Sequence, residues 1–348
     1  MKRNILFFLT ASMMLVSSAA PMRYSRGDVN QDGMVSIKDV TTLINYLLNG
    51  TWPDGGDGEQ SGDTKRGDVS NDDVVNIKDV TTLIHYLLNG SWPVNDAALQ
   101  DETFTVNGIS FTMVGVQGGT YMMGGTDEQG TDASSLEKPV HEVTLSDYYI
   151  GQTEVTQALW AAVMGTNPSY FTSAKGYGDN VNRPVESVTW DDCNNFIARL
   201  SELTGRQFRM PTEAEWQYAA RGGNKTQGHK YAGGDVIDDV AWYRVNSFDQ
   251  GNKSPDYGTH AVATKAPNEL GLYDMSGNVN EWCSDWYGSY TEDAQNNPSG
   301  PETGTSRMCP GGSWGSQAAY CRVSYRARYA PTMKSNIIGL RLVMIPER

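Results

Sequence analysis

The stretch FRMPTEAEWQYAARGG, residues 208–223, decides the fold of the larger part of this chain because it combines a helix start with a helix stop. Thr212 and Glu215 have the spacing of a capping box, in which two side chains bond backbone N–H groups of the first turn. Gly222 is the residue type that commonly ends a helix. The stretch therefore predicts a short helix between Thr212 and Gly222.

Two more segments carry the same helix signals. TQALWAAVMG ends at Gly165, and TWDDCNNFIARLSELTG begins with a Thr189 cap, has Asp192 three residues later and stops at Gly205. The sequence around them alternates strand-like runs, such as FTMVGV and HEVTLSDYYI, with glycine turns. This pattern predicts a compact, loop-rich α+β domain over residues 104–346.

The amino terminus reads as an export signal. MKRNILFFLTASMMLVSSAAP has a basic start, an apolar run too short to span a bilayer, and small residues after it. We interpret residues 1–20 as a signal peptide and expect a secreted or periplasmic protein with no membrane span. The net charge of -14 disfavours nucleic acid as a partner, because a phosphate backbone requires a cationic surface.

A repeat occupies the region after the signal. GDVNQDGMVSIKDVTTLINYLLNG begins at Gly27, and GDVSNDDVVNIKDVTTLIHYLLNG begins at Gly67. Each copy opens with oxygen-bearing residues at positions 1, 3, 5, 7, 9 and 12 of a twelve-residue loop, a spacing that wraps one calcium ion. The predicted ligands are Asp28, Asn30, Asp32, Met34, Ser36 and Asp39 in the first loop and Asp68, Ser70, Asp72, Val74, Asn76 and Asp79 in the second. The second site is expected to be weaker, because Asp73 replaces the glycine of the sharp turn.

An amphipathic helix is predicted after each loop. The apolar residues that we place on one helix face are Ile37, Val40, Leu43, Ile44, Leu47 and Leu48, repeated as Ile77, Val80, Leu83, Ile84, Leu87 and Leu88. Because a single helix cannot bury such a face alone, both copies should form one small all-α domain over residues 26–91. A linker over residues 92–103 would join it to the larger domain.

A duplicated calcium loop with a single following helix resembles the dockerin module. The resemblance implies calcium-dependent folding and docking onto a cohesin-like partner, typically in an extracellular complex that degrades polysaccharides. The family's recognition positions fall on Ile37, Lys38, Asn45, Tyr46, Ile77, Lys78, His85 and Tyr86. These residues differ from the Ser-Thr and Lys-Arg pairs common in cellulosomal dockerins, so the identity of the partner stays open. The near-identity of the copies would let either helix dock.

Several phrases of the larger domain recur in a fixed order: GGTYMMGG (118–125), KPVHEVTL (138–145), EVTQALW (154–160), FRMPTEAEWQYAARGG, PNELGLYDMSGNVNEW (267–282), GGSW (311–314) and IGLRL (338–342). They resemble the formylglycine-generating enzyme family, also called sulfatase-modifying factors. The resemblance implies a loop-rich, C-type-lectin-like fold. Its founding members use oxygen and copper to oxidise a cysteine within a Cys-x-Pro-x-Arg segment of sulfatases, whereas other members differ in activity or only bind.

The segment LYDMSGNVNEW is a further calcium candidate. Asp274 and Glu281 supply carboxylates, and the carbonyls of Gly277 and Val279 could face the same point. By resemblance these positions match a structural calcium site of the family, with Asp274 where the enzymes often have Asn.

Other polar residues of the larger domain have simpler interpretations. His141 and His260 are isolated and are expected to be hydrogen-bonded histidines. Glu213 and Glu215 are expected to be charges at a helix amino terminus.

The segment GGSWGSQAAYCRVSYRAR, residues 311–328, is the place where the copper enzymes carry two cysteines spaced Cys-x-x-x-x-Cys. Aligned from the glycines without a gap, it puts Ser316 and Cys321 at the two positions. Aligned on RVSYR with a three-residue deletion, it puts Arg326 at the family's substrate-side arginine and leaves Cys321 outside the pair. Neither alignment supplies two thiols, and a serine hydroxyl cannot replace a thiolate for copper(I).

The cysteines therefore have no assigned chemistry at this stage. Cys321 is a weak catalytic candidate, and we favour a structural role in which it pairs with Cys283 or Cys309. The chain has four cysteines in all: Cys193, Cys283, Cys309 and Cys321.

Three functions remain open from the sequence. We favour an exported calcium-binding protein whose dockerin-like module tethers a domain that binds peptide or glycan without copper chemistry, with Arg326 as a ligand contact. The alternative is a formylglycine-generating oxidase acting on sulfatase cysteines or another exported substrate, which would need copper and an unrecognised ligand set such as Cys309 with Cys321. The third is a structural spacer.

Overall fold

The computed structural model describes residues 29–30, 34–49, 52, 67, 69, 75, 77–89 and 99–346. The chain divides into two compact units, Met1–Asp96 and Ala97–Arg348. The predicted signal peptide, most of the calcium loops and the first part of the predicted linker lie outside the described residues. Within the described part of the chain, the helices are too short or too polar to cross a membrane.

The first unit contains the two helices that the repeat predicts, α1 (Ile37–Asn49) and α2 (Ile77–Asn89). They share a small core in which Tyr46 stacks on Trp52, with ring centroids 3.9 Å apart. The buried members of this core are Val29, Val40, Leu43, Trp52, Val69, Val80 and Leu83. The two equivalent helices thus supply equivalent residues to one core.

The apolar face predicted on each helix is only partly buried. Val40 and Leu43 are buried, but Ile37 and Leu48 are 68% and 76% exposed. At about 100° per residue, these two sets are separated by about 100° around the helix, so one edge of the face meets the core and the other meets solvent. The exposed residues, called here the apolar stripe, are Ile37, Ile44 and Leu48 on α1 and Ile77, Ile84 and Leu88 on α2.

The second unit contains the three predicted helices: α3 (Gln157–Met164), α4 (Trp190–Thr204) and α5 (Glu213–Ala220). Both predicted capping boxes are present, with Thr189 and Asp192 at α4 and Thr212 and Glu215 at α5. One short helix, α6 (Ile237–Val240), was not predicted, because four residues are too few for a periodic signal.

Short strands form four small sheets in this unit. The strands are β1 (Glu102–Val106), β2 (Ile109–Val116), β3 (Gly119–Met123), β4 (His141–Leu145), β5 (Tyr148–Gly151), β6 (Phe208–Arg209), β7 (Asn280–Glu281), β8 (Gln295–Asn296), β9 (Arg307–Met308), β10 (Arg328–Tyr329), β11 (Ile338–Gly339) and β12 (Val343–Met344). The largest sheet is antiparallel in the order β1-β2-β5-β12-β6, and another has the order β3-β4-β8. The pairs β9–β10 and β7–β11 complete the set. The mixed helix-and-sheet content confirms that part of the predicted fold class.

Buried ion pairs connect these short elements. Arg322 makes a two-pronged contact with Glu137, with both N–O distances 2.8 Å, and both side chains are almost fully buried. Arg341 contacts Glu281 in the same way, at 2.7 Å for the closest pair of atoms, with both side chains fully buried. These pairs join segments that are 185 and 60 residues apart in sequence, and they add side-chain links to those of the small sheets.

Candidate functional site

The last ligand position of the first calcium loop is a buried carboxylate. Asp39 is fully buried, and its two oxygens accept the backbone N–H groups of Asn30 at 2.9 Å and Ser36 at 2.7 Å. Among the described residues, no lysine or arginine pairs with Asp39. A buried carboxylate without a cation is costly, so the site fits a metal ion. Asp79, the equivalent residue of the second loop, is also fully buried.

The remaining calcium ligands stay predictions. Of the other first-loop positions, the structure describes Asn30, Met34 and Ser36, and Met34 would contribute only its carbonyl because its side chain is 67% exposed. The ligand positions outside the described residues are Asp28, Asp32, Asp68, Ser70, Asp72, Val74 and Asn76.

The predicted docking positions divide by exposure. Tyr46 and Tyr86 are half-buried, and Tyr46 is committed to its stack on Trp52. The side chain of Lys78 lies outside the described part of the structure. The exposed docking positions are Ile37, Lys38, Asn45, Ile77 and His85.

Removal of calcium is expected to unfold the first unit, because the buried carboxylate of Asp39 would then lack a cation. Far-ultraviolet circular dichroism in excess chelator should lose the helical signal of α1 and α2 and regain it when calcium is returned. The double variant Asp39→Ala, Asp79→Ala should show no calcium response in this transition. A wild-type spectrum that does not change in chelator would contradict the prediction.

The acidic turn of the second unit has an unsatisfied carboxylate oxygen. Asp274 is buried with φ of 58°, and its Oδ2 accepts the N–H of Ala263 at 2.7 Å. Its Oδ1 is buried and lacks a hydrogen-bond partner. Burial raises the pKa of Asp274 to about 6. At Gly277 an added Cβ would lie 2.2 Å from the Trp242 carbonyl oxygen, so only glycine lets this turn approach so closely.

The turn contains a third acid that the sequence did not indicate. Glu154 accepts the backbone N–H of Val279 at 3.1 Å and the side chain of Asn278 at 2.8 Å. Burial, followed by the charge of Asp274, raises the pKa of Glu154 well above its usual range. The first residue of the phrase EVTQALW was the available signal, but nothing in the sequence connects position 154 with position 274.

The charges of this turn suit a divalent cation. Glu281 accepts the indole N–H of Trp216 at 2.6 Å and also pairs with Arg341. The buried acids at positions 154, 274 and 281 all lie around Arg341. Three carboxyl groups beside one guanidinium favour a metal ion that would supply the missing positive charge. Among the described residues, side chains alone do not form a group of three metal ligands. Asp274, Glu281 and the carbonyls of Gly277 and Val279 stay the predicted ligands of such an ion.

Calcium is expected to stabilise the second unit through Asp274. At a calcium concentration of 100 times Kd, the gain is about 2.7 kcal/mol, which corresponds to roughly 5–10 °C in the melting temperature. Calorimetry of Asp274→Ala should show the loss of most of this shift, whereas Asp293→Ala, which removes an exposed acid, should keep it. An equal calcium response in both variants would count against the site.

The C-terminal loop forms a hydrogen-bonded turn. The hydroxyls of Ser313 and Ser316 lie 3.0 Å apart, and Ser316 also accepts the backbone N–H of Ser313 at 2.9 Å. Cys321 is fully buried in an apolar cluster with Tyr231 and Ala241, and burial raises the pKa of its thiol to about 12. The Ser316 and Cys321 positions therefore carry a hydroxyl and a protonated thiol.

Cys321 is a buried residue of the core, and the pairing with Cys283 or Cys309 that the sequence left open is not formed. All four cysteines lie in the described part of the chain, and all are unpaired and buried. Cys321 belongs to a different core cluster from Cys193, Cys283 and Cys309. Burial raises the pKa of the Cys283, Cys309 and Cys321 thiols above their usual range. Ser316 and Cys321 together supply one thiol, so this pair does not fit a two-thiolate copper(I) site.

Arg326 lies in the wall of a cavity of about 360 Å³. Its Nε and Nη2 donate to Glu213 at 2.5 and 2.8 Å, and its Nη1 donates to the Leu136 carbonyl at 3.0 Å. Arg326, the predicted ligand contact, therefore lines a cavity. Its positive charge is neutralised by the ion pair with Glu213.

The same cavity brings together residues that the sequence analysis missed. His141, Asp285 and Tyr290 line it together with Glu213, although they come from separate parts of the chain. His141 and Glu213 had been interpreted as structural residues. No sequence motif links these positions, so only the fold could reveal the cluster.

Comparisons with known proteins agree with this architecture. The model of the sulfatase-modifying factor enzyme 1-like domain matches residues 102–345, and the dockerin type I model matches residues 26–91. A loop-rich mixed domain preceded by duplicated calcium loops is therefore the class that the fold and sites define. The chain belongs to the sulfatase-modifying factor family and carries a dockerin type I domain before the family domain, as the sequence motifs predicted.

Individual relatives show how broad this family is. The chaperone protein LppX of Paenibacillus barcinonensis is 35% identical over 246 residues, which cover 58% of this chain and 81% of that protein. The formylglycine-generating enzyme of Streptomyces coelicolor is 31% identical and covers 66% of this chain and 87% of its own length.

Two solved structures are similar to most of this chain. Treponema denticola variable protein 1 has 35% identity and a TM-score of 0.62, over 71% of this chain and all of that one. PvdO from Pseudomonas aeruginosa has 25% identity and a TM-score of 0.58, over 70% of this chain and 98% of that one.

Proposed function

We propose that this protein is an exported, calcium-stabilised binding protein. Its dockerin domain would tether the family domain to a cohesin-like partner outside the cell, and the family domain would bind a ligand without copper oxidase chemistry. Dockerin domains occur in extracellular proteins and bind calcium, which supports the first part. The signal-like amino terminus supports export.

The observation that carries the second part is the placement of the thiols. A copper(I) site of this kind needs two neighbouring thiolates, whereas Cys321 lies in a different core cluster from the other three cysteines and position 316 is a serine. The hydroxyl of Ser316 is engaged by Ser313 and is a poor copper(I) ligand. The cavity beside Arg326 supplies a site where a ligand could bind instead.

The competing function is the formylglycine-generating oxidase, which identities of about 30% to such enzymes favour. The full chain, loaded with copper(I) and given oxygen and a reductant, would be incubated with a Cys-x-Pro-x-Arg peptide and followed by mass spectrometry. We expect no conversion of the peptide cysteine, with an active formylglycine-generating enzyme as the positive control. Conversion that disappears in Cys321→Ala would establish the oxidase and refute the binding-only function.

The apolar stripe supports the tethering role. Leu48 and Leu88 are 76% and 78% exposed, and such apolar rows on a surface mark protein contacts. Because both helices carry the same stripe, either one can present it to a partner. We infer that the stripe forms the centre of the surface that meets the cohesin-like partner.

Changing both copies of the stripe is expected to weaken docking strongly. In surface plasmon resonance against a panel of cohesin domains, Leu48→Asp and Leu88→Asp should each bind within about two-fold of wild type, because the other helix remains. The double variant should lose at least about ten-fold, since burying a leucine contributes about 1.5–3 kcal/mol. Leu203→Asp, at an exposed leucine of the second unit, is the matched control. Wild-type affinity in the double variant, with its calcium-dependent helix signal intact, would refute the docking surface.

A further inference from the structure

The cavity beside Arg326 has a buried floor and an open rim. Asp285 and His141 are only 3% and 2% exposed. The rim is formed by exposed loop residues, which connect the floor with solvent. These rim residues are Ser289, Ser299, Gly300 and Pro301.

Two polar atoms of the floor are without partners. Asp285 Oδ2 accepts the N–H of Glu213 at 3.1 Å and the hydroxyl of Ser284 at 3.0 Å, but among the described residues nothing bonds Oδ1. The Nδ1 of His141 lies 3.2 Å from the Pro139 carbonyl, which can only accept, so Nδ1 carries the proton. In the neutral ring, Nε2 is then an acceptor, and the described part of the chain gives it no donor.

The arginine and the tyrosine hydroxyl that line the floor are already used. Arg326 is paired with Glu213, and the Tyr290 hydroxyl donates to Glu213 at 2.8 Å. The floor therefore presents two open acceptors, and the lining residues include no unpaired cation. A ligand that supplies hydrogen-bond donors and a positive charge would satisfy both Asp285 and His141.

The walls favour a methylene chain over a sugar ring. Arg326 covers the ring of Tyr290 at 3.8 Å, and Arg307 covers the ring of Trp286 at 3.6 Å, so each ring already has a guanidinium on one face. A sugar stacks on open aromatic faces, which are limited here. The apolar lining residues that suit methylene groups are Met123, Ala214, Pro298 and Pro301.

We propose that this cavity binds the ammonium group of a lysine side chain presented by a peptide, with Asp285 Oδ1 and His141 Nε2 as its acceptors. The proposal deepens, and rests on, the proposed ligand-binding function of the family domain. Ser284 and the backbone of Glu213 hold Asp285 in position. Arg326 keeps Glu213 neutralised, so it acts as a positioning residue.

The binding has a defined pH dependence. The charged and titratable groups around Asp285 come from several elements, and the Ser284 hydroxyl lies beside it. They are Glu213 and Glu215 from α5, Arg209 from β6, Arg307 from β9, Tyr121 from β3 and Cys283. Burial, followed by the charge of Glu213, raises the pKa of Asp285 to about 7. An ammonium group binds the ionised carboxylate, so affinity rises with pH. Between pH 6 and pH 8 the ionised fraction grows about ten-fold, while lysine stays charged.

The test uses the full chain with calcium and a short peptide whose central residue is lysine, titrated by nuclear magnetic resonance. We expect about ten-fold tighter binding at pH 8 than at pH 6, and no binding of the same peptide with an acetylated lysine amine. Asp285→Asn, which keeps the oxygen that accepts from Glu213 and Ser284, should lose at least ten-fold at pH 8 and also lose the pH dependence. Asp249→Asn, an equal charge change at an exposed site away from the cavity, should bind like wild type.

Several outcomes would overturn the proposal. Three results with the wild-type chain would each refute it: equal binding of the acetylated peptide, no binding of the lysine peptide, or a flat pH profile. These results do not depend on whether Asp285→Asn folds. Preference for glucosamine over the lysine peptide would assign the cavity to an amino sugar instead. These failures would leave the binding-only function standing, because that function fails only when the copper assay converts its peptide.

Discussion

The buried ion pair between Glu281 and Arg341 is the interaction on which the rest of the family domain depends. Arg341 also donates to the carbonyls of Gly151 at 2.9 Å and Tyr273 at 2.8 Å, so one side chain joins the end of β5, the acidic turn and the C-terminal segment. A buried pair is costly to break, by about 3–5 kcal/mol, because the remaining charge has no partner. Glu281 therefore serves the fold and the candidate calcium site at once.

This dependence follows from how little regular structure the domain contains. Seven of the twelve described strands, for example β6, β7 and β12, are only two residues long. A usual strand has about five or six residues. Short strands exchange few hydrogen bonds, so the chain needs side-chain anchors between segments. Arg322 with Glu137 and Arg326 with Glu213 repeat the arrangement at the two ends of RVSYR. The C-terminal loop is thus anchored by buried carboxylates.

The proposed functions share one electrostatic theme. Buried acids with insufficient positive charge recur at Asp39, at the turn around Asp274 and at Asp285. In the first two places oxygen donors cluster in loops that suit a calcium ion. At Asp285 the surroundings are an apolar cavity with an open rim, which suits an organic cation. The strongly acidic composition of the chain therefore includes buried acids at candidate cation sites as well as surface charge.

The sequence alone determined the features that depend only on residues close together along the chain. The calcium-loop repeat, the capping boxes at Thr189 and Thr212, and the absence of a paired cysteine motif could all be predicted because spacing alone defines them. Tertiary structure alone decided the rest. It decided which apolar residues of the dockerin helices enter the core and which form the exposed apolar stripe. The sequence could not separate the two groups, because both are equally apolar. It also brought Glu154 to Asp274, and His141 to Asp285, because contacts between distant segments follow from packing and leave no periodic trace in the sequence.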